Sequence, residues 1–175
     1  MKIEYYRRMK NIQRLGTHVI QREYNLLEHQ YMVTVLFRHF AYREDVPYNI
    51  DTLDLVMKHD VLEIFTGDLP YDIKKINSLV EKSWDVVEQE VAEIHPELKP
   101  YTDTNIQQAM NPSQYKLFKA CDMLELWVFI WEEMQLGNRN PRLAAVEKRA
   151  RKILNDFSFV SIIQFMNNYR NSNPL

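Results

Sequence analysis

The sequence predicts an all-α chain, and three observations carry that prediction. Apolar residues recur at three- and four-residue intervals over long segments, and no segment alternates convincingly with a period of two. Each of the only three glycines, Gly16, Gly67 and Gly137, stands directly after such a segment, where a left-handed residue would close a helix.

Taken in order, helices are expected near residues 4–14, 27–42, 51–66, 71–93, 113–136 and 141–168, a bundle of about six. The first, "RRMKNIQRL", would end at Gly16, and the second contains the amphipathic run "LLEHQYMVTVLF". Asp51 is a candidate capping or first-turn residue for the third, "LDLVMKHDVLEIFT", which would end at Gly67. After the fourth, "HPELKPYTDTN" reads as a loop from His95 to Asn105. Ser113 could open the fifth, where Leu117, Ala120, Cys121, Leu124, Trp127, Val128 and Trp131 make an apolar stripe. Trp127 and Trp131 are read as core. Pro141 suits the first turn of the last helix, in which Leu143, Val146, Ala150, Ile153, Leu154 and Phe157 form a second stripe and "EKRARK" a solvated face.

At 175 residues the chain suits one domain with a real core, and 46% hydrophobic content places it among globular proteins. A formal net charge of -2 argues against a general binder of nucleic acid polymers or membrane surfaces. No signal-like or bilayer-length apolar run is present, so a cytoplasmic location is expected. Cys121 is the single cysteine, which excludes an intrachain disulfide and a thiolate cluster and reads as a small buried side chain. The aromatic-rich stretch from Phe118 to Trp131 and "FSFVSIIQFM" near the end suggest exposed apolar surface and hence self-association.

One segment, "HDVLEIFTGDLPYDIK" from residue 59, carries more ionisable groups than an apolar helix face should. His59 and Asp60 are consecutive, so on a helix their side chains project about 100° apart. Partners from other helices are His29, in the amphipathic second helix, and Asp122, which interrupts "LFKACDMLELWVFI". A carboxylate there is costly to bury unless it is paired or coordinates a cation. Two imidazoles and two carboxylates make a mixed nitrogen and oxygen set suited to a divalent ion. His18, His39 and His95 are read as ordinary core or boundary residues.

These residues, in this order, resemble the HD-domain phosphohydrolases, and most closely the YfbR-like 5'-deoxynucleotidase branch. The family holds its metal with a His, a later His-Asp pair and a final Asp, the places of His29, His59, Asp60 and Asp122. The block from His59 is similar to the family's "HD..E..TGDLP...K" without a gap. That match puts Glu63 and Asp68 in catalytic positions and Lys74 near phosphate. Arg14, fifteen residues before His29, matches a phosphate-binding Arg, and Gly137 and Asn138 follow Asp122 at the family's spacing. The resemblance implies a single HD-type domain over 1–175 and a divalent ion such as Mn2+, Co2+, Zn2+ or Mg2+. It also implies a homo-oligomer, dimer or higher. One departure concerns substrate: where the family often has Trp after the Arg, this chain has "RLGT", making Leu15 and Thr17 candidate substrate-binding residues.

The implied activity is metal-dependent hydrolysis of 2'-deoxynucleotides, most simply a 5'-deoxynucleotidase acting on monophosphates. The alternative is a phage-type dATP triphosphohydrolase of the DatZ kind, which uses the same centre. A third reading, a non-catalytic nucleotide-binding HD domain, would be marked by loss of a ligand or acid, and the set here is complete.

Overall fold

The computed structural model describes residues 2–69 and 77–172, and among these the regular structure is helical. The elements are α1 (Ile3–Met9), α2 (Leu26–Arg43), α3 (Ile50–Met57), α4 (Glu63–Thr66), α5 (Ser78–Ile94), a 3₁₀ helix (Pro96–Tyr101), α6 (Asp103–Ala109), α7 (Pro112–Gln135), α8 (Pro141–Phe157) and α9 (Val160–Ser172). No described helix is long and apolar enough to cross a membrane.

Several boundaries differ from the sequence reading, each for a local reason. The first helix stops at Met9, because Arg14 and Leu26 bond back across the chain to Tyr24 and Ile12 instead of continuing the helix. Leu15, with φ 56°, takes the left-handed conformation expected of Gly16, whereas Gly67 and Gly137 do adopt positive φ. The helix expected over 51–66 is broken between Met57 and Glu63. The expected loop from His95 holds the 3₁₀ helix and α6. The last expected helix is two helices, α8 closing on a left-handed Ser158 (φ 61°). Asparagine opens most long helices: Asn25, Asn49, Asn77, Asn111 and Asn140 each accept backbone N–H bonds. Asp51 and Ser113 therefore lie inside first turns, two residues beyond Asn49 and Asn111.

The central core joins α2, α3, α7, α8 and α9 through Phe37, Phe40, Val56, Leu117, Leu124, Trp127, Leu154 and Met166. Trp131 packs on its edge. A second cluster ties α1 to the turn before α4 through Met9, Leu26, Val61 and Leu62, and a third joins Tyr24 to Phe129, Ile130, Leu143 and Val146. The turn at Ser158 folds α9 back, so Phe118, Trp127, Ile162 and Met166 are buried and Phe165 packs on the core. Much of the apolar surface expected there is thus covered, with Val160 left exposed. Further exposed apolar side chains lie on α5 at Leu79, Val86, Val87 and Ile94 and on α2 at Tyr31, Val35 and Tyr42.

Candidate active site

α2 and α7 pack side by side and present His29 and Asp122 toward one another, and the break between α3 and α4 adds His59 and Asp60. The break is a built feature. Nδ1 of His59 lies 2.7 Å from the Val56 carbonyl, which fixes the ring. Buried Gln30, beside His29, with its amide oriented to satisfy both ends, accepts from the Asp60 and Val61 amides (2.9 and 3.2 Å) and donates to the Met57 carbonyl at 2.8 Å. The backbone groups freed by the break are therefore paired, and the Asp60 carboxylate is held facing His29.

One ligand-type atom from each of His29, His59 and Asp122 lies within 4.8 Å of the others. Asp60 Oδ2 is 3.2 Å from His59 Nε2 and 3.6 Å from His29 Nε2, and Asp122 Oδ1 is 3.2 Å and 3.9 Å from His29 and His59. Both Nε2 atoms are buried without a hydrogen-bond partner among the described residues. Buried, orphaned imidazole nitrogens aimed at two carboxylates fit a divalent cation, whose charge would satisfy all four groups.

The electrostatics agree. Burial works against the Asp60 carboxylate, yet His59, Arg14 and His29 hold its pKa well below the usual range. Asp122 is similarly held down, against burial, chiefly by Lys119 and His29. Burial and Arg14 oppose the His29 imidazolium, but Glu125 and Asp122 outweigh them and push its pKa up to about 9.

Arg14 occupies the start of a closed loop whose ends are joined at Gln13 and Asn25. Its Nη1 lies 2.8 Å from Asp60 and 3.8 Å from Glu63, over the ring of Tyr24. Leu15, next in line, donates its amide to Asp68 at 3.2 Å. Glu63, Asp68, Arg14 and Leu15 all line one cavity of about 470 Å³ with His59, Asp60 and Asp122. Leu126 of α7 and Val146, Ala150, Ile153 and Phe157 of α8 give it an apolar lining, with Arg149 among them. Thr17 is exposed and off this lining, where His18 stands instead. Lys74 lies outside the described residues.

Sequence reasoning missed several members. Lys119, one turn before Asp122 and 3.5 Å from it, reaches the cavity, as do Tyr115 and Arg149. The signal for Lys119 was its i,i+3 spacing on the same helix face as Asp122. Asn138 serves the loop: with Arg22 and the Gln21 amide it surrounds Glu133, which is fully buried and accepts bonds of 2.7–3.2 Å from them. Asn138 also donates to the Val19 carbonyl.

Removing that anchor, Glu133→Ala, should cost about 3 kcal/mol, because it strands buried donors. For a chain of this size the melting temperature should fall by about 6–12 °C in a thermal scan. Burial alone would raise the Glu133 pKa, but its donors hold it lower. Its contribution is therefore full above about pH 4.3, the unfolded value, and fades as pH falls through the depressed folded value. Wild type and variant should converge in acid.

The family model for 5'-deoxynucleotidase YfbR-like proteins matches residues 3–173. The chain is 31% identical over 99 residues to the 5'-deoxynucleotidase YfbR of Salmonella typhi, covering 51% of this chain and 48% of the relative. It is 28% identical over 121 residues to a 5'-deoxynucleotidase of Photobacterium profundum, covering 66% and 61%. The chain thus spans about half the length of the curated relatives it matches. Among solved structures, its fold is similar to the cyanophage S-2L HD phosphohydrolase DatZ, bound to dA and one catalytic Zn2+ ion, with TM-score 0.67, 20% identity and coverage of 98% and 96%. It is also similar to an HD-domain phosphohydrolase from Listeria innocua, with TM-score 0.74, 17% identity and coverage of 94% and 83%. The folded arrangement of His29, His59, Asp60 and Asp122 and the match across nearly the whole chain together place this protein in the YfbR-like 5'-deoxynucleotidase family.

Proposed function

We propose that the chain is a metal-dependent phosphohydrolase of 2'-deoxynucleotides, acting as a 5'-deoxynucleotidase that converts a deoxynucleoside monophosphate to deoxynucleoside and phosphate. The observation that carries this reading is one cavity lined by His59, Asp60, Asp122 and Arg14, with buried His29 directly behind the two carboxylates, and by apolar side chains of α7 and α8. The polar side suits a phosphate and the apolar side a nucleobase. Similarity to curated deoxynucleotidases supports it.

His29, His59, Asp60 and Asp122 would hold the ion, which when bound supplies Lewis-acid stabilisation of phosphoryl oxygens and a lowered pKa of water. Arg14 presents a planar guanidinium to the phosphate from a preset position, since Asp60 and the Tyr24 ring already fix it. Glu63 and Asp68 are carboxylates in the cavity wall. Between them they take the proton of the attacking water as the new P–O bond forms and supply one to the ester oxygen as the old bond breaks. Leu15 and His18 shape the mouth nearest the sugar, in the place where relatives often carry Trp, and Thr17 and Lys74 are proposed to contact substrate only as it enters. A homo-oligomer, supported by the exposed apolar face of α5, and a cytoplasmic setting complete the proposal.

A second reading, hydrolysis of deoxynucleoside triphosphates, is favoured by Lys119 and Arg149, cations in the same cavity beyond what a monophosphate needs. A panel of deoxy- and ribonucleoside mono-, di- and triphosphates, assayed with added Mn2+, Co2+, Zn2+ or Mg2+, separates the two. Phosphate from dAMP, abolished by EDTA, is the expected result. Deoxyadenosine with triphosphate from dATP, and no turnover of dAMP, supports the second reading. Full turnover of every substrate in EDTA would sink both.

A further inference from the structure

Behind His29 lies a buried carboxylate that takes no part in the proposed hydrolysis. Glu125, on α7 one turn beyond Asp122, places Oε2 2.5 Å from His29 Nδ1. The hydroxyl of Tyr24 donates to the same oxygen and lies 3.2 Å from that Nδ1. All three side chains are buried, His29 and Tyr24 almost completely. His59 is supported differently, by the Val56 carbonyl. The two histidines therefore present Nε2 to the same point with unequal support from behind.

We infer that Glu125, clamped by Tyr24, is a positioning residue that fixes His29 as a metal ligand; this rests on the proposed metal centre. The carboxylate accepts a hydrogen bond from Nδ1–H, which leaves Nε2 as the nitrogen that faces Asp60 and Asp122 and can give up its own proton to bind a cation. A negative charge behind the ring also makes Nε2 a stronger donor than the carbonyl makes His59. Tyr24 acts at both ends of its side chain. Its hydroxyl keeps Glu125 turned to His29, and its ring lies beneath the Arg14 guanidinium, with 5.7 Å from ring centre to guanidinium carbon. One side chain thus sets both the ligand and the phosphate-binding cation, so the spacing between them is fixed before any ligand arrives.

The test is Zn2+ affinity of the full chain, by calorimetry with a competing chelator, for wild type, Glu125→Gln and Tyr24→Phe. Glu125→Gln keeps the volume and hydrogen bonding but removes the charge, and its affinity should fall about 10- to 100-fold, the scale for outer-shell partners. Tyr24→Phe keeps the ring under Arg14, so affinity should fall several-fold while KM for a deoxynucleotide at saturating Zn2+ stays within about twofold. A purely structural role would instead lower the metal-free melting temperature and leave Zn2+ affinity alone, which would overturn the inference. Should Glu125→Gln fail to fold, unchanged affinity in Tyr24→Phe overturns it equally. A wild-type chain that binds no Zn2+ overturns the metal centre itself, an outcome distinct from normal binding in both variants.

Discussion

Replacement of Asp60 by alanine is expected to lower turnover by well over a hundredfold while the helices stay folded. One oxygen, Oδ2, lies 2.8 Å from Arg14, 3.2 Å from His59 and 3.6 Å from His29. Its loss would remove a proposed ligand and release the guanidinium proposed to meet phosphate. Loss of an outer-shell partner alone costs about 10- to 100-fold in comparable centres, so a direct ligand sets a larger effect. Because Asp60 is held ionised by cationic neighbours and contributes nothing to the apolar clusters, circular dichroism should be nearly unchanged. Deoxynucleotide hydrolysis with saturating metal is the measurement, and wild-type turnover in the variant would refute the assignment.

The second large effect is expected from Glu63→Gln. The glutamine keeps the shape beside Arg14, 3.8 Å away, but loses the ability to exchange a proton and the weak ion pair to that guanidinium. Acid–base residues contribute about 10²–10⁴-fold, so kcat should fall by that order with KM little changed. Asp68→Asn serves as the comparison. Asparagine Oδ1 can still accept from the Leu15 amide, so KM should change little as kcat falls, whereas Asp68→Ala should raise KM as well. A Glu63→Gln enzyme with full kcat across the pH range assigns proton transfer elsewhere.

Much of the centre was legible because helical spacing and residue chemistry pointed the same way. His29, His59 and Asp122 do converge, and Asp60 reaches them. Their convergence did not need the unbroken helix that the sequence suggested over 51–66. The break after Met57 has no glycine or proline to announce it; it is stabilised by Gln30 from another helix, a contact that no local pattern encodes. Glu125 and Tyr24 were hidden for the same reason, since their bonds to His29 span residues 96 and 5 apart in sequence. The helix starts at Ile50 and Pro112 were each misplaced by one position because asparagine caps were passed over for Asp51 and Ser113.

The closed loop from Gln13 to Asn25 separates the shape of the cavity mouth from the stability of the fold. It is stapled at its base by the backbone bonds around Gln13 and Asn25 and along its far side by Glu133 and Asn138. Between those staples, residues 15–19 face the cavity mouth or solvent and carry little of the core. Substitutions at these positions should therefore cost little folding stability while they reshape the cavity mouth. Exchanging this loop between relatives tests whether the proposed substrate preference resides in it.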